Sequence, residues 1–172
     1  MNSYGATSSS YRRAGRDKNL RGAPIEILLV EDNPADACLM RESFEHDRVL
    51  NNLHVVCDGA EAIAFLHRNG HYANAPRPDL ILLDLHLPKK NGFEVLAEVK
   101  GEIGLKAIPV VVLTTSRTDL DVLKSYELQA NGYIEKPVNL EKLLKVVKSI
   151  EEFWLAIVRS PRGEKAELLR QG

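Results

Sequence analysis

Cysteine is scarce in this chain of 172 residues, with Cys38 and Cys57 the only two. Two are too few for a disulfide framework, and neither has the spacing of a metal-ligand pair. Both are expected to be buried thiols in a reducing compartment. Long apolar runs are also missing. Stretches such as Ile108–Leu113 fall far short of the roughly 20 residues that span a bilayer. The opening MNSYGATSSSYRRAG has no apolar stretch suited to a signal peptide. The expectation is a soluble, cytoplasmic protein with no membrane partner. A glycine-rich phosphate loop is absent, because Gly101–Gly104 lacks both the lysine and the strand context. Overall charge is nearly absent as well. A formal net charge of −1 argues neither for nucleic acid nor for a membrane surface, and no nucleic-acid partner is expected.

That average hides an uneven distribution. Residues 1–24 carry Arg12, Arg13, Arg16, Lys18 and Arg21 against Asp17, and residues 159–172 hold four bases and two acids. The segment between them has a net charge of −7. Residues 1–24, rich in Ser, Gly and Arg, read as a flexible basic tail. Residues 25–158 read as one domain and 159–172 as a short second tail.

From Ile25 the texture repeats. Ile25–Val30, Leu53–Cys57, Asp79–Asp84, Ile108–Leu113 and Gly132–Ile134 are short apolar runs. Helical patterns follow them: one opening at Asn33–Pro34, then Ala60–Arg68, Phe93–Lys100, Thr118–Gln129 and a long Leu140–Val158. Strands that are apolar on both faces imply a parallel sheet covered by helices on each side. The class is α/β, doubly wound and five-stranded.

In such a sheet the binding crevice lies beyond the carboxyl ends of the strands. Glu31 and Asp32 stand at the first of those ends, Asp84 at the third, Thr114 and Thr115 at the fourth, and Lys136–Pro137 near the fifth. Clustered carboxylates call for a hard cation, and Mg²⁺ prefers oxygen ligands. Asp32 and Asp84 are the natural direct ligands, with Glu31 behind them or reaching the ion through water. A carboxylate is also a nucleophile that forms an aspartyl phosphate. Phosphoryl transfer needs charge neutralisation at the equatorial oxygens. Mg²⁺, Lys136 and the Thr114 hydroxyl would supply it.

The set EDN at 31–33, Asp84 in LLDLHLPKKNG, LTTS at 113–116 and GYIEKP at 132–137 resembles the receiver domain of two-component response regulators. The likeness runs from Ile25 to Val158. It implies the flavodoxin-like (β/α)5 receiver fold, here with an extended last helix. It also implies a phosphoprotein in which Asp84 accepts the phosphoryl group from a sensor histidine kinase. Asp32 then matches the direct Mg²⁺ ligand, Glu31 its acidic neighbour, and the His86 backbone carbonyl the third protein ligand. Thr114 matches the hydroxyl that contacts the phosphoryl group, Tyr133 the aromatic switch, and Lys136 the lysine that pairs with phosphoryl oxygens. Lys136–Pro137 resembles the family's cis peptide.

NPAD at 33–36, the loop Gly70–Pro78, PRPDLILLDLHLPKKNG and Phe153–Trp154 are similar to single-domain receivers that partner phytochrome-type kinases. That likeness implies a homodimer through the last helix. Leu143, Val147, Ile150, Trp154 and Ile157 form an apolar stripe on it. Phe153, Trp154 and Ile157 lie beyond a typical receiver helix and are the expected dimer contacts. Two positions that tune autodephosphorylation in the family hold His86 and Ser116. His46, His54, His67 and His71 read as surface or packing residues. Only the short stretch 159–172 follows the expected domain end, which argues against a transcription factor.

Three other readings are open. A Mg²⁺-dependent phosphohydrolase would need an acid two residues after its nucleophile, where this chain has His86. A pseudo-receiver would act as an interaction platform without phosphate, against which the intact Asp32, Asp84, Thr114 and Lys136 speak. A phosphorelay intermediate fits the same residues. The expected protein is a phosphoacceptor rather than an enzyme.

Overall fold

The structure, a computed structural model, describes residues 24–46, 50–115, 124, 126–139 and 141–149. Five parallel strands form one sheet in the order β2-β1-β3-β4-β5. They are β1 (Ile25–Val30), β2 (Asn51–Val56), β3 (Leu80–Asp84), β4 (Val110–Thr114) and β5 (Gly132–Glu135). Helices α1 (Pro34–His46), α2 (Gly59–Leu66) and α3 (Gly92–Gly101) connect them, and residues 141–149 are helical after β5. Of the fourth expected helix the close is described: the Leu128 N–H donates to the Lys124 carbonyl, and Gln129 follows at φ 63°.

The strands are apolar on both faces because each face is covered. Leu28, Val30, Ile81, Leu83, Val110 and Val112 are buried together with Phe65, Val95 and Leu96 of α2 and α3. Their alternates Ile27, Leu29, Leu80, Leu82, Val111 and Leu113 are buried with Met40 and Phe44 of α1 and with Leu143 and Val147. Full burial of such a side chain stabilises by about 1.5–3 kcal/mol. The two-sided core therefore locks strand order and register. Leu143 and Val147 face the sheet, as their positions in the stripe allow.

Element ends differ from the sequence expectation in small ways. Strand β4 starts at Val110 rather than Ile108, since Pro109 has no N–H and Ile108 closes a turn onto the Leu105 carbonyl. Strand β5 runs on to Glu135, which pairs with Thr114. The expected burial of the two thiols is corrected: Cys38 and Cys57 are both exposed. Cys38 lies on the solvent side of α1 next to buried Ala37, and Cys57 leaves the sheet one residue after β2. No helix among the described residues is long and apolar enough to cross a membrane. Phe153, Trp154, Ile157, Ser116 and both tails except Pro24 lie outside the described residues.

Candidate functional site

Register brings the polar residues together. β1 and β3 are neighbours, and so are β3 and β4, so Glu31, Asp84 and Thr114 stand side by side at one edge of the sheet. All three are buried, at 1%, 5% and 1% exposure, while Asp32 is exposed. Carboxylate oxygens of Glu31, Asp32 and Asp84 lie within 4.8 Å of one another.

Lys136 closes the cluster from β5. Its Nζ donates to Asp84 Oδ2 at 2.6 Å, Glu31 Oε2 at 2.6 Å and Asp36 Oδ2 at 3.2 Å. The Lys136 N–H donates to the Thr114 carbonyl at 2.7 Å, which ties the start of this loop to β4. The Lys136–Pro137 peptide is cis, as expected. Burial alone would lower the lysine pKa, but the hydrogen bonds it donates to Asp84 and Glu31 reverse this and raise it above the ordinary lysine range. Burial pushes the Glu31 carboxyl up, against the opposing bonds from Lys136 and the Asn33 N–H.

The other Asp84 oxygen is held by the loop after β3. The His86 N–H donates to Asp84 Oδ1 at 2.9 Å, while the His86 ring, Nδ1 at 3.9 Å from the same oxygen, projects to solvent. Gly92 is required where α3 begins: a Cβ there would lie 2.2 Å from the Asp84 carbonyl oxygen. An Asn91–Glu94 capping box starts the helix at that point.

Glu31, Asp32 and Asp84 form an all-oxygen donor set, and exposed Asp32 leaves the cluster open to water. That suits Mg²⁺, which keeps several waters and takes a few carboxylates. Tyr133 stands apart from the acids on β5, 46% exposed, with its ring edge-on to Tyr126 at 6.2 Å. Asp36 was not foreseen from the sequence. It lies in the first turn of α1, four positions after Asp32, and that spacing was the available signal.

Residues 27–148 match the response regulator receiver domain. The chain belongs to this family. Phosphorylation and a dependence on Mg²⁺ are general to receivers. The response regulator Rcp1 of Synechocystis sp. (strain ATCC 27184 / PCC 6803 / Kazusa) is 53% identical over 138 residues, 80% of this chain and 94% of that relative. The phosphorylated cyanobacterial phytochrome response regulator RcpA superposes with a TM-score of 0.68 at 54% identity, covering 78% of this chain and 96% of RcpA. A Mn²⁺-bound form of Rcp1 gives a TM-score of 0.67 at 54% identity, over 77% and 95% of the two chains. The receiver assignment made from the motifs is thus borne out, and so is the doubly wound fold.

His54, His67 and His71 have partners. His54 Nε2 lies 2.6 Å from Glu26 Oε2, with its ring against Phe65, and His67 Nε2 lies 3.1 Å from Glu102 Oε2. Their packing role stands, now with a named carboxylate for each. His71 rests on the Tyr72 ring.

Proposed function

We propose that Asp84 is the phosphoacceptor of this receiver and that the reaction is catalysed by the chain itself. The observation that carries this is the Lys136 ammonium, 2.6 Å from Asp84 Oδ2 among three clustered carboxylates. An Asp84 oxygen attacks the phosphorus of a phosphoimidazole. The P–O bond forms as the P–N bond breaks, and the electron pair stays on the ring nitrogen. Lys136 and the Thr114 hydroxyl neutralise the transferred oxygens, and the His86 N–H holds the carboxylate in place. Autodephosphorylation returns the group to water.

Asp32, Asp84 and the His86 carbonyl would hold Mg²⁺, with Glu31 reaching it through water. When bound, the ion supplies positive charge between the carboxylates and the incoming phosphoryl oxygens. Tyr133 is the switch residue in this reading, with Thr114 as its partner in signalling.

The donor is a sensor histidine kinase of the phytochrome type. The 54% identity to the phytochrome response regulator RcpA supports that choice. The receiver occupies residues 25–158 between two basic tails. Its signal leaves through a surface change and a homodimer. The sequence spacing of Phe153, Trp154 and Ile157 supports the dimer, and Phe153→Ala/Trp154→Ala is expected to lower the sedimentation coefficient.

The deciding experiment is intact mass after incubation with a small-molecule phosphodonor, with and without Mg²⁺, beside Asp84→Asn. One added phosphoryl group that needs both Mg²⁺ and Asp84 is the expected result. No addition in any condition would favour the pseudo-receiver.

A further inference from the structure

We propose that Lys89 and Asp58 are positioning residues for the phosphoacceptor, acting through the loop between β3 and α3. This rests on the reading of Asp84 given above. The loop carries the His86 peptide, whose N–H sits on Asp84 Oδ1 at 2.9 Å. Its base is anchored by the Gly92 N–H on the Leu85 carbonyl. Its crest has no strand or helix of its own; buried Leu87 and the Lys90–Glu98 ion pair hold it on the α3 side, and a further anchor holds it on the other.

That anchor is α2. Asp58 is 4% exposed and uses both oxygens: Oδ1 caps α2 by accepting the Glu61 N–H, and Oδ2 accepts the Lys89 ammonium at 2.6 Å. Beside it, the Lys90 carbonyl oxygen lies 2.0 Å from where a Gly59 Cβ would be, so the crest rests directly on the start of α2. Lys89 itself has φ 63°, a left-handed backbone that side chains other than glycine seldom adopt. A strained, largely exposed lysine that reaches a buried carboxylate is costly as surface decoration. It is explained if the contact holds the loop. The clamp fixes the peptide at residue 86 before metal or phosphoryl arrives, which reduces the ordering needed on binding.

The test is calorimetric titration of the full chain with Mg²⁺, together with the rate of phosphoryl uptake, for wild type, Lys89→Met, Lys89→Arg and Asp58→Asn. Asparagine keeps the cap on α2 and removes the charge. Lys89→Met and Asp58→Asn are expected to weaken Mg²⁺ binding about tenfold and to slow uptake. Lys89→Arg should stay near wild type, and Lys89→Met/Asp58→Asn should be no worse than either single change. If both single variants unfold at lower denaturant yet keep wild-type Mg²⁺ affinity and uptake, the contact only stabilises the fold and the proposal is overturned. If wild type binds Mg²⁺ but takes no phosphoryl group, the Asp84 reading fails and this proposal with it.

Discussion

Lys136 Nζ lies 2.6 Å from Asp84 Oδ2, joining two residues 52 positions apart in a buried ion pair at the mouth of the sheet. The same ammonium also takes Glu31, so one cation offsets two buried acids. This makes Lys136 both a stabilising residue and a stand-in for part of the positive charge the site requires.

Lys136→Met is expected to destabilise the fold by about 3–5 kcal/mol, since removing one partner strands the other buried charges. Adding Mg²⁺ should restore part of that loss, because the divalent cation neutralises the same carboxylates. Phosphoryl uptake should fall about a hundredfold, the usual cost of removing one donor from a developing oxyanion. Urea unfolding with and without Mg²⁺ and timed intact mass measure these effects.

Asp32 is exposed and its removal leaves no buried group unpaired. Asp32→Asn should therefore unfold at nearly the wild-type midpoint while binding Mg²⁺ at least about tenfold more weakly, since changes outside the direct ligands already cost that much. Asp36→Asn, which touches Lys136 from the rim at 3.2 Å, should keep Mg²⁺ affinity within a few fold. Calorimetry separates the two.

Gly92→Ala would put a methyl group 2.2 Å from the Asp84 carbonyl oxygen, and Gly59→Ala one 2.0 Å from that of Lys90. Each should cost about 1–3 kcal/mol through forced backbone shifts. Gly101→Ala meets nothing within 4 Å at the end of α3 and should be neutral or slightly stabilising. Denaturant midpoints give the comparison.

Asp58 supplies a pH signature. Burial would raise its pKa, but the Lys89 ammonium and the backbone N–H groups of Glu61 and Ala60 outweigh this and hold it below the usual carboxylate range. Its folded pKa lies below the unfolded one, so its contribution is complete above the ordinary aspartate value and is lost as pH falls through the folded value. The stability gap between wild type and Asp58→Asn should hold from neutral pH down to about pH 4, near the unfolded aspartate pKa, and then shrink. Unfolding curves at a series of pH values check it.

Much of this was legible in the chain. The two-sided apolar runs imply a covered parallel sheet because strands joined by helical crossovers are buried on both faces. The acids at their carboxyl ends mark the crevice for the same topological reason. Contacts between distant side chains were less visible. The spacing of Asp36 from Asp32 points to the cluster but not to Lys136, and Lys89 carries no local pattern that assigns it a partner; their roles appear only when α1 meets the end of β5 and the loop after β3 meets α2. Cys38 is exposed because burial depends on which side of a helix faces the sheet, and α1 turns Ala37 and Met40 inward instead, while Cys57 is exposed because it lies just past the end of β2.

The sequence by itself determined the strand and helix alternation, the family, and the polar residues at strand ends, since hydrophobic period and turn chemistry are local properties. Only the tertiary structure decided that Lys136 bridges Glu31 and Asp84, and that Lys89 caps a buried Asp58 from the facing loop. Those pairings depend on strand order and loop placement, which bring together residues up to 105 positions apart.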